Sequence, residues 1–154
     1  VIALVPVVVV LAVATLVSFL RWQSANAADS ARSAAVTAAN RRVPALLSYS
    51  YQTFGTVLAQ AKTDTTPQFG ATYAKLMSGQ VEPQAIKDHV VTQATVSGTA
   101  VESTGSGGVT LLMFLNQQTK TDAKAQSVLN DTAVRVTMQD VNGTWLVANL
   151  TPSS

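Results

Sequence analysis

The stretch "VIALVPVVVVLAVATLVSFL" sets twenty residues before the first charge, Arg21. As a helix rising 1.5 Å per residue it spans about 30 Å, the thickness of a bilayer's hydrocarbon core. The apolar core of a cleaved signal peptide runs about 7 to 15 residues, so this run is too long for one, despite the small-x-small triplet Ala25-Asn26-Ala27 that follows. Arg21 and Trp22 close the run with a cation and an interfacial ring, the pairing expected at a membrane boundary. Residues 1–22, marked out by Val1, Leu11, Leu20, Arg21 and Trp22, are therefore expected to stay in the membrane as an anchor.

That anchor accounts for much of the 47% hydrophobic content; the remainder of the 154 residues has the length and polarity of one ordinary domain. The net charge is +2, and no Lys/Arg cluster interleaves with aromatics, which argues against a nucleic-acid surface. With no cysteine, disulfides, thiolate zinc sites and a cysteine nucleophile are all excluded. Orientation is less constrained. Arg21, Arg32, Arg41 and Arg42 stand against Asp29 alone, and the positive-inside rule would put that side in the cytoplasm. The chain opens on Val rather than Met, so an upstream flank is expected, and its charge bears equally on the outcome.

Residues 23–43 are Ala-rich without Gly or Pro, which favours a helix. Ala28, Ala31, Ala35, Ala38 and Arg42 fall at steps of three and four and form a narrow stripe of mostly small residues, suited either to close packing on another helix or to a solvated stalk. Pro44 is expected to kink or restart the helix. Leu47, Tyr51, Phe54, Leu58 and Ala61 then continue a helical apolar face whose natural use is to cover a sheet. Thr66-Pro67 reads as N-cap and first position of a short helix carrying Phe69, Tyr73 and Leu76 on one side, with Gly79 as its C-cap and a further turn or two from Pro83.

From about His89 the pattern becomes strand-like. "VVTQATVSGTAVES" (90–103) is rich in Val and Thr, "TGSGG" (104–108) is a loop, and 109–119 is apolar on both faces, as in a central strand covered on both sides. The polar 120–131 reads as a long connection. In 132–140, Val134, Val136 and Met138 alternate with Arg135, Thr137 and Gln139. Asn142-Gly143 marks a two-residue hairpin, because both central positions of a type I′ turn need positive φ, and 144–150 returns as the partner strand. The expected class is α+β: helices gathered on one face of a curved antiparallel sheet of about four strands.

Catalytic chemistry finds little support. The lone His89 has Asp88 beside it, but adjacent side chains diverge in both helix and strand, so a surface histidine at a helix-to-strand junction is the better reading. One histidine without cysteine makes a poor transition-metal set, and the eight carboxylates are scattered, with Asp122, Asp131 and Asp140 too far apart for a calcium loop. There is no Gly-x-Ser-x-Gly, and the Ser/Gly run at 103–108 has no phosphate-loop lysine. Asn130-Asp131-Thr132, Asn142-Gly143-Thr144 and Asn149-Leu150-Thr151 match the glycosylation triplet by composition and are read as structural. Trp145 is expected in the core between sheet and helices.

Five segments, in order, resemble the Mce-associated (mammalian cell entry-associated) membrane proteins of mycobacteria and their relatives. These are "ARSAAVTAANRRVPALLSYSYQTF" with its Leu46-Leu47-Ser48-Tyr49-Ser50-Tyr51, the Phe69…Tyr73 pair, "TVSGTAVES", "LLMFLNQQT", and the closing "RVTMQDVNGTWLVANLTP". The resemblance covers roughly residues 28–152. One departure is Thr65-Thr66-Pro67-Gln68-Phe69, where many relatives have Thr-Gly-x-Phe. The resemblance implies a cone like nuclear transport factor 2, also used by inner-membrane scaffolds of type IV secretion. Residue pattern and resemblance together divide the chain into an anchor over 1–22, a helical stalk over 23–43 and the cone over 44–152. The implied role is that of a single-pass accessory subunit, without enzymatic activity or cofactor, in the inner (cell) membrane. Its domain would face the periplasm and stabilise an Mce-type lipid-import ABC transporter, with permease and extracytoplasmic tunnel proteins as partners alongside membrane lipid. Ala31, Ala35, Ala38, Phe54 and Trp145 are the candidate partner or pocket contacts. A lipid-binding module with an apolar pocket inside the cone is the alternative, unless Trp145, Phe54 and Met113 fill that space.

Overall fold

A computed structural model describes residues 27–105, 107–122 and 124–153. The expected anchor residues Val1, Leu11, Leu20, Arg21 and Trp22 lie outside these, and among the described residues no helix is long and apolar enough to cross a membrane.

The first helix, α1, runs unbroken over 27–47. The buried face is shifted from the expected stripe, of which Ala35 and Arg42 are buried while Ala28, Ala31 and Ala38 stay half-buried: Ala35, Ala39 and Val43 are fully buried, and Leu46 nearly so, in one cluster with the inward side chains of the sheet. Small side chains let the helix axis lie close to the strands, where Asn40 Oδ1 accepts from Thr99 at 2.6 Å and Arg32 Nε donates to Thr104 at 3.0 Å. The described part of the expected stalk, 27–43, is thus integral to the domain, and no boundary falls at 43/44. Pro44 is tolerated because it sits in the last turn, and the carbonyl it leaves unpaired belongs to Asn40, an exposed residue.

The helical phase running from Leu47 to Ala61 hides a break. After α1 the chain extends as a short strand, β1 (Tyr49–Ser50), and turns into α2 (Phe54–Asp64). Ser48 Oγ accepts from the Ala94 N–H at 2.9 Å and lengthens the pairing of β1 with the sheet. Helix α3 (Pro67–Leu76) begins as expected, with the Thr66 hydroxyl accepting from the Phe69 N–H and Pro67 in the first turn. Gly79 does not end it: the chain passes through a π-helical turn (Met77–Val81) into α4 (Glu82–Lys87). Replacing Thr66 with alanine removes this cap and is expected to lower stability by about 1 kcal/mol, measurable as a shift in denaturant midpoint at unchanged m-value.

Four long strands complete an antiparallel sheet in the order β1-β2-β3-β4-β5: β2 (Val91–Gly105), β3 (Gly108–Thr121), β4 (Lys124–Val141) and β5 (Thr144–Pro152). Asn142 and Gly143 carry the expected positive φ values, 54° and 82°. The polar 120–131 segment proves to be mostly strand, with Asn116 opposite Asp131 and Thr119 opposite Val128. Backbone ladders satisfy N–H and C=O groups whatever the side chains, so a hairpin can run beyond the core with both faces in water. The expected cover on both sides of β3 is likewise corrected. Val109, Leu111, Met113 and Leu115 are buried under the helices, while on the opposite face Leu112 is half-buried and Phe114 is 46% exposed.

Candidate functional site

The interior of the cone is occupied by its own side chains. Phe54 is 3% exposed, Met113 fully buried, and Trp145 half-buried against the same cluster. The pocket considered inside the cone is therefore replaced by packing. Ala35 and Phe54 are taken up by the domain's own core and are not available to a partner, whereas Ala31, Ala38 and Trp145 keep part of their surface.

Apolar surface instead collects in a groove of about 610 Å³ between α3 and β5. Leu47 at the end of α1, Phe69, Leu76, Met77, Ala148 and Leu150 form its walls, with the uncharged Gln68, Thr72 and Asn149 among the polar lining. Two anchors hold the helix beside the strand. The Thr66 N–H donates to the Val147 carbonyl at 2.9 Å, and the Tyr73 hydroxyl donates to the Leu46 carbonyl at 2.5 Å. Burial, and secondarily the neighbouring Tyr49, pushes the Tyr73 phenol well above its ordinary value, so Tyr73 stays a neutral donor here. Phe69 and Tyr73 stack obliquely with ring centroids 6.3 Å apart. Leu76, 48% exposed, leaves a large apolar side chain open to the groove mouth. The sequence placed Phe69, Tyr73 and Leu76 on one side of a helix. It did not reveal that only Tyr73 is buried, since a helical stripe does not say how much of itself a sheet will cover.

His89 sits at the helix-to-strand junction, as expected, with φ of 49°. Its partner is Asp122 in the β3–β4 turn rather than Asp88: Nδ1 bonds the Asp122 carboxylate, and the ring lies 4.6 Å from that of Tyr51. Both side chains are largely exposed, and neither lines the groove. The pair fastens a turn to a helix end. Among the described residues no cluster of His and carboxylates has the makings of a metal site.

The face of the sheet opposite the described helices carries a bidentate pair, with Arg135 Nε and Nη2 donating to Glu102 at 2.7 and 2.9 Å. These hydrogen bonds, helped by the guanidinium's charge, hold the Glu102 carboxyl below its ordinary range. The contribution of this pair is thus present above the ordinary carboxylate range and disappears as pH falls through the lowered folded-state value. In a carbon-13 NMR titration, Arg135→Gln is expected to move the Glu102 midpoint upward; an unmoved midpoint would mean the fork is not formed in solution.

Comparison with solved structures places the fold. The domain is similar to CagV, a VirB8 homolog of the type IV secretion system from Helicobacter pylori (TM-score 0.62, 15% identity, 76% of this chain and 94% of that one). It is also similar to a periplasmic fragment of TraM (0.61, 10%, 79% and 96%) and to VirB8 of Agrobacterium tumefaciens (0.60, 12%, 80% and 90%). No protein-family model matches the chain. By sequence it is 34% identical over 135 residues to outer membrane protein Rv1973 of Mycobacterium tuberculosis, covering 86% of this chain and 84% of that protein. It is 31% identical over 119 residues to the uncharacterized protein Rv1362c of the same organism, covering 77% of this chain and 54% of that protein. At 34% identity over 86% of this chain and 84% of the relative, the chain belongs to the membrane-associated mycobacterial family of outer membrane protein Rv1973.

Proposed function

We propose that this protein is a non-enzymatic, single-pass accessory subunit that stabilises or assembles an Mce-type lipid-import ABC transporter, with residues 1–22 in the cell membrane and the VirB8-like domain in the periplasm. The observation that carries this reading is where the domain keeps its apolar surface. The interior is closed by Leu111, Met113 and Val136, and the groove opens outward, as suits a molecule that works by contact. The five segments resembling Mce-associated proteins support the transporter assignment. The relatives' name speaks of an outer membrane. One apolar run of twenty residues suits the cell membrane better, since outer-membrane spans are closed barrels.

Affinity purification from detergent-solubilised mycobacterial membranes tests the reading. The full chain is expected to bring down permease and tunnel subunits, and a version lacking residues 1–22 is expected to recover them at a small fraction of that yield. Equal recovery by both would remove the anchor from the account. Sedimentation of the full chain with outer-membrane rather than cell-membrane markers would contradict the placement.

A further inference from the structure

We infer that the groove between α3 and β5 is a docking site for an extended, uncharged peptide segment of a partner protein, which adds to the open edge of β5 at Leu150. Among the described residues β5 is the last strand of the sheet. Its outer edge already accepts backbone from elsewhere: Thr65 makes a single parallel bridge to Val147, and the Thr66 N–H takes the Val147 carbonyl. Pairing of that kind stops there because Pro67 begins α3 and carries the chain away as a helix.

The groove continues along the same edge. A proline is accommodated in a strand where its nitrogen faces away from the sheet, and Pro152 lies in β5 opposite Val134. Residues two apart in a strand present their backbone the same way, so the Leu150 N–H faces the open edge as well. Its acceptor is local, the side-chain Oδ1 of Asn149 at 3.0 Å, which an incoming carbonyl can replace. The opposite wall is the apolar side of α3, with Phe69 and Leu76, continued by Met77 at the start of the π-helical turn. An edge strand facing an apolar helix is the arrangement in which strand addition draws affinity from main-chain bonds and selectivity from pockets for alternate side chains.

The lining decides the occupant. Among the described residues it holds no charged side chain, so a charged segment would be desolvated without compensation. An acyl chain would match the walls but would cover the outward Leu150 carbonyl with hydrocarbon and offer it no donor, whereas an extended peptide supplies both donor and acceptor. A folded second copy of the chain would need an interface of about 20 to 30 residues a side, whereas the groove is lined by ten. The inference depends on the accessory-subunit reading only in that both require a protein partner.

The test is selection of phage-displayed random heptapeptides on the full chain in detergent micelles, followed by binding of a synthetic copy of the selected sequence. Enriched peptides are expected to lack Asp, Glu, Lys and Arg and to carry apolar residues at every second position. N-methylation of alternate amides in the synthetic copy is expected to weaken binding at least tenfold. Leu76→Glu and Thr72→Trp, both at exposed positions that leave the fold intact by circular dichroism, are each expected to abolish it. Absence of enrichment, enrichment of charged peptides, or equal binding by the N-methylated copy or by both variants would overturn the inference. So would displacement of the peptide by oleate with binding of cis-parinaric acid that is blocked by the same variants, since the groove would then be an acyl-chain site. Transporter recovery is read separately: its failure removes the accessory-subunit reading and leaves the peptide result standing.

Discussion

Replacing Arg42 with alanine is expected to destabilise the domain by about 3 to 5 kcal/mol, enough to unfold a marginal domain near 37 °C. Arg42 lies on the packed face of α1 with its side chain 10% exposed, paired to the carboxylate of Asp64, itself 9% exposed, at the end of α2. Nη1 also donates to the Thr63 carbonyl at 3.1 Å, and Gln60 Nε2 donates to Asp64 at 3.0 Å. Removing either partner leaves the other charge buried without compensation. The Arg42 Nε is already unpartnered, so the pair is not fully satisfied even when intact. Replacing both members with apolar residues of similar size, Arg42→Met with Asp64→Leu, is accordingly expected to recover most of the loss. Chemical denaturation of the two single variants and the double variant checks this. A single-variant cost under about 1 kcal/mol would show that water reaches the pair.

Gly108→Ala is expected to cost about 3 kcal/mol or more, from two sources that separate cleanly. Gly108 opens β3 with φ of 123°, where a side chain is strained, and a Cβ there would lie 2.0 Å from the Met138 carbonyl oxygen across the β3–β4 ladder. The strain contributes about 1 to 3 kcal/mol and the forced displacement of β4 a comparable amount. Gly143, with φ of 82° and nothing within 4 Å of its Cβ position, provides the control. Gly143→Ala should show the strain alone, at about 1 kcal/mol. If both variants lost the same stability, the close approach of β4 at Gly108 would be disproved.

Much of the architecture is legible in the residues, for identifiable reasons. The Asn142-Gly143 hairpin, the Thr66-Pro67 helix start and the Val134/Val136/Met138 alternation are each set by local chemistry that few other conformations satisfy. Where tertiary context decides, the sequence misleads. Leu47, Tyr51, Phe54 and Leu58 keep helical phase across a strand and a turn, because two elements covering one core can preserve the spacing a single helix would show. Arg42 counts as a surface cation when charges are tallied for membrane orientation, but its carboxylate lies 22 residues away, and the ion pair takes it out of that tally. Arg32 pairs with Asp29 at 2.7 Å, the one carboxylate already set against the arginines. The charge excess that favoured a cytoplasmic domain therefore shrinks.

The groove was the least legible feature. Its walls come from α1, α3 and β5, and its character depends on the alignment of an uncovered strand edge with an incompletely covered helix. Neither is a property of any one segment. Leu112 and Phe114 teach the same lesson: an apolar run on both faces of β3 reads as double cover, yet among the described residues only one face receives helices.

Purifying the permease of an Mce-type transporter from native mycobacterial membranes, and weighing the intact complex by mass spectrometry, addresses the central claim from the transporter's side. The account predicts that this chain arrives with the permease in a fixed integral ratio and is lost when its anchor is deleted. A complex of full composition and activity in which the chain never appears would contradict it.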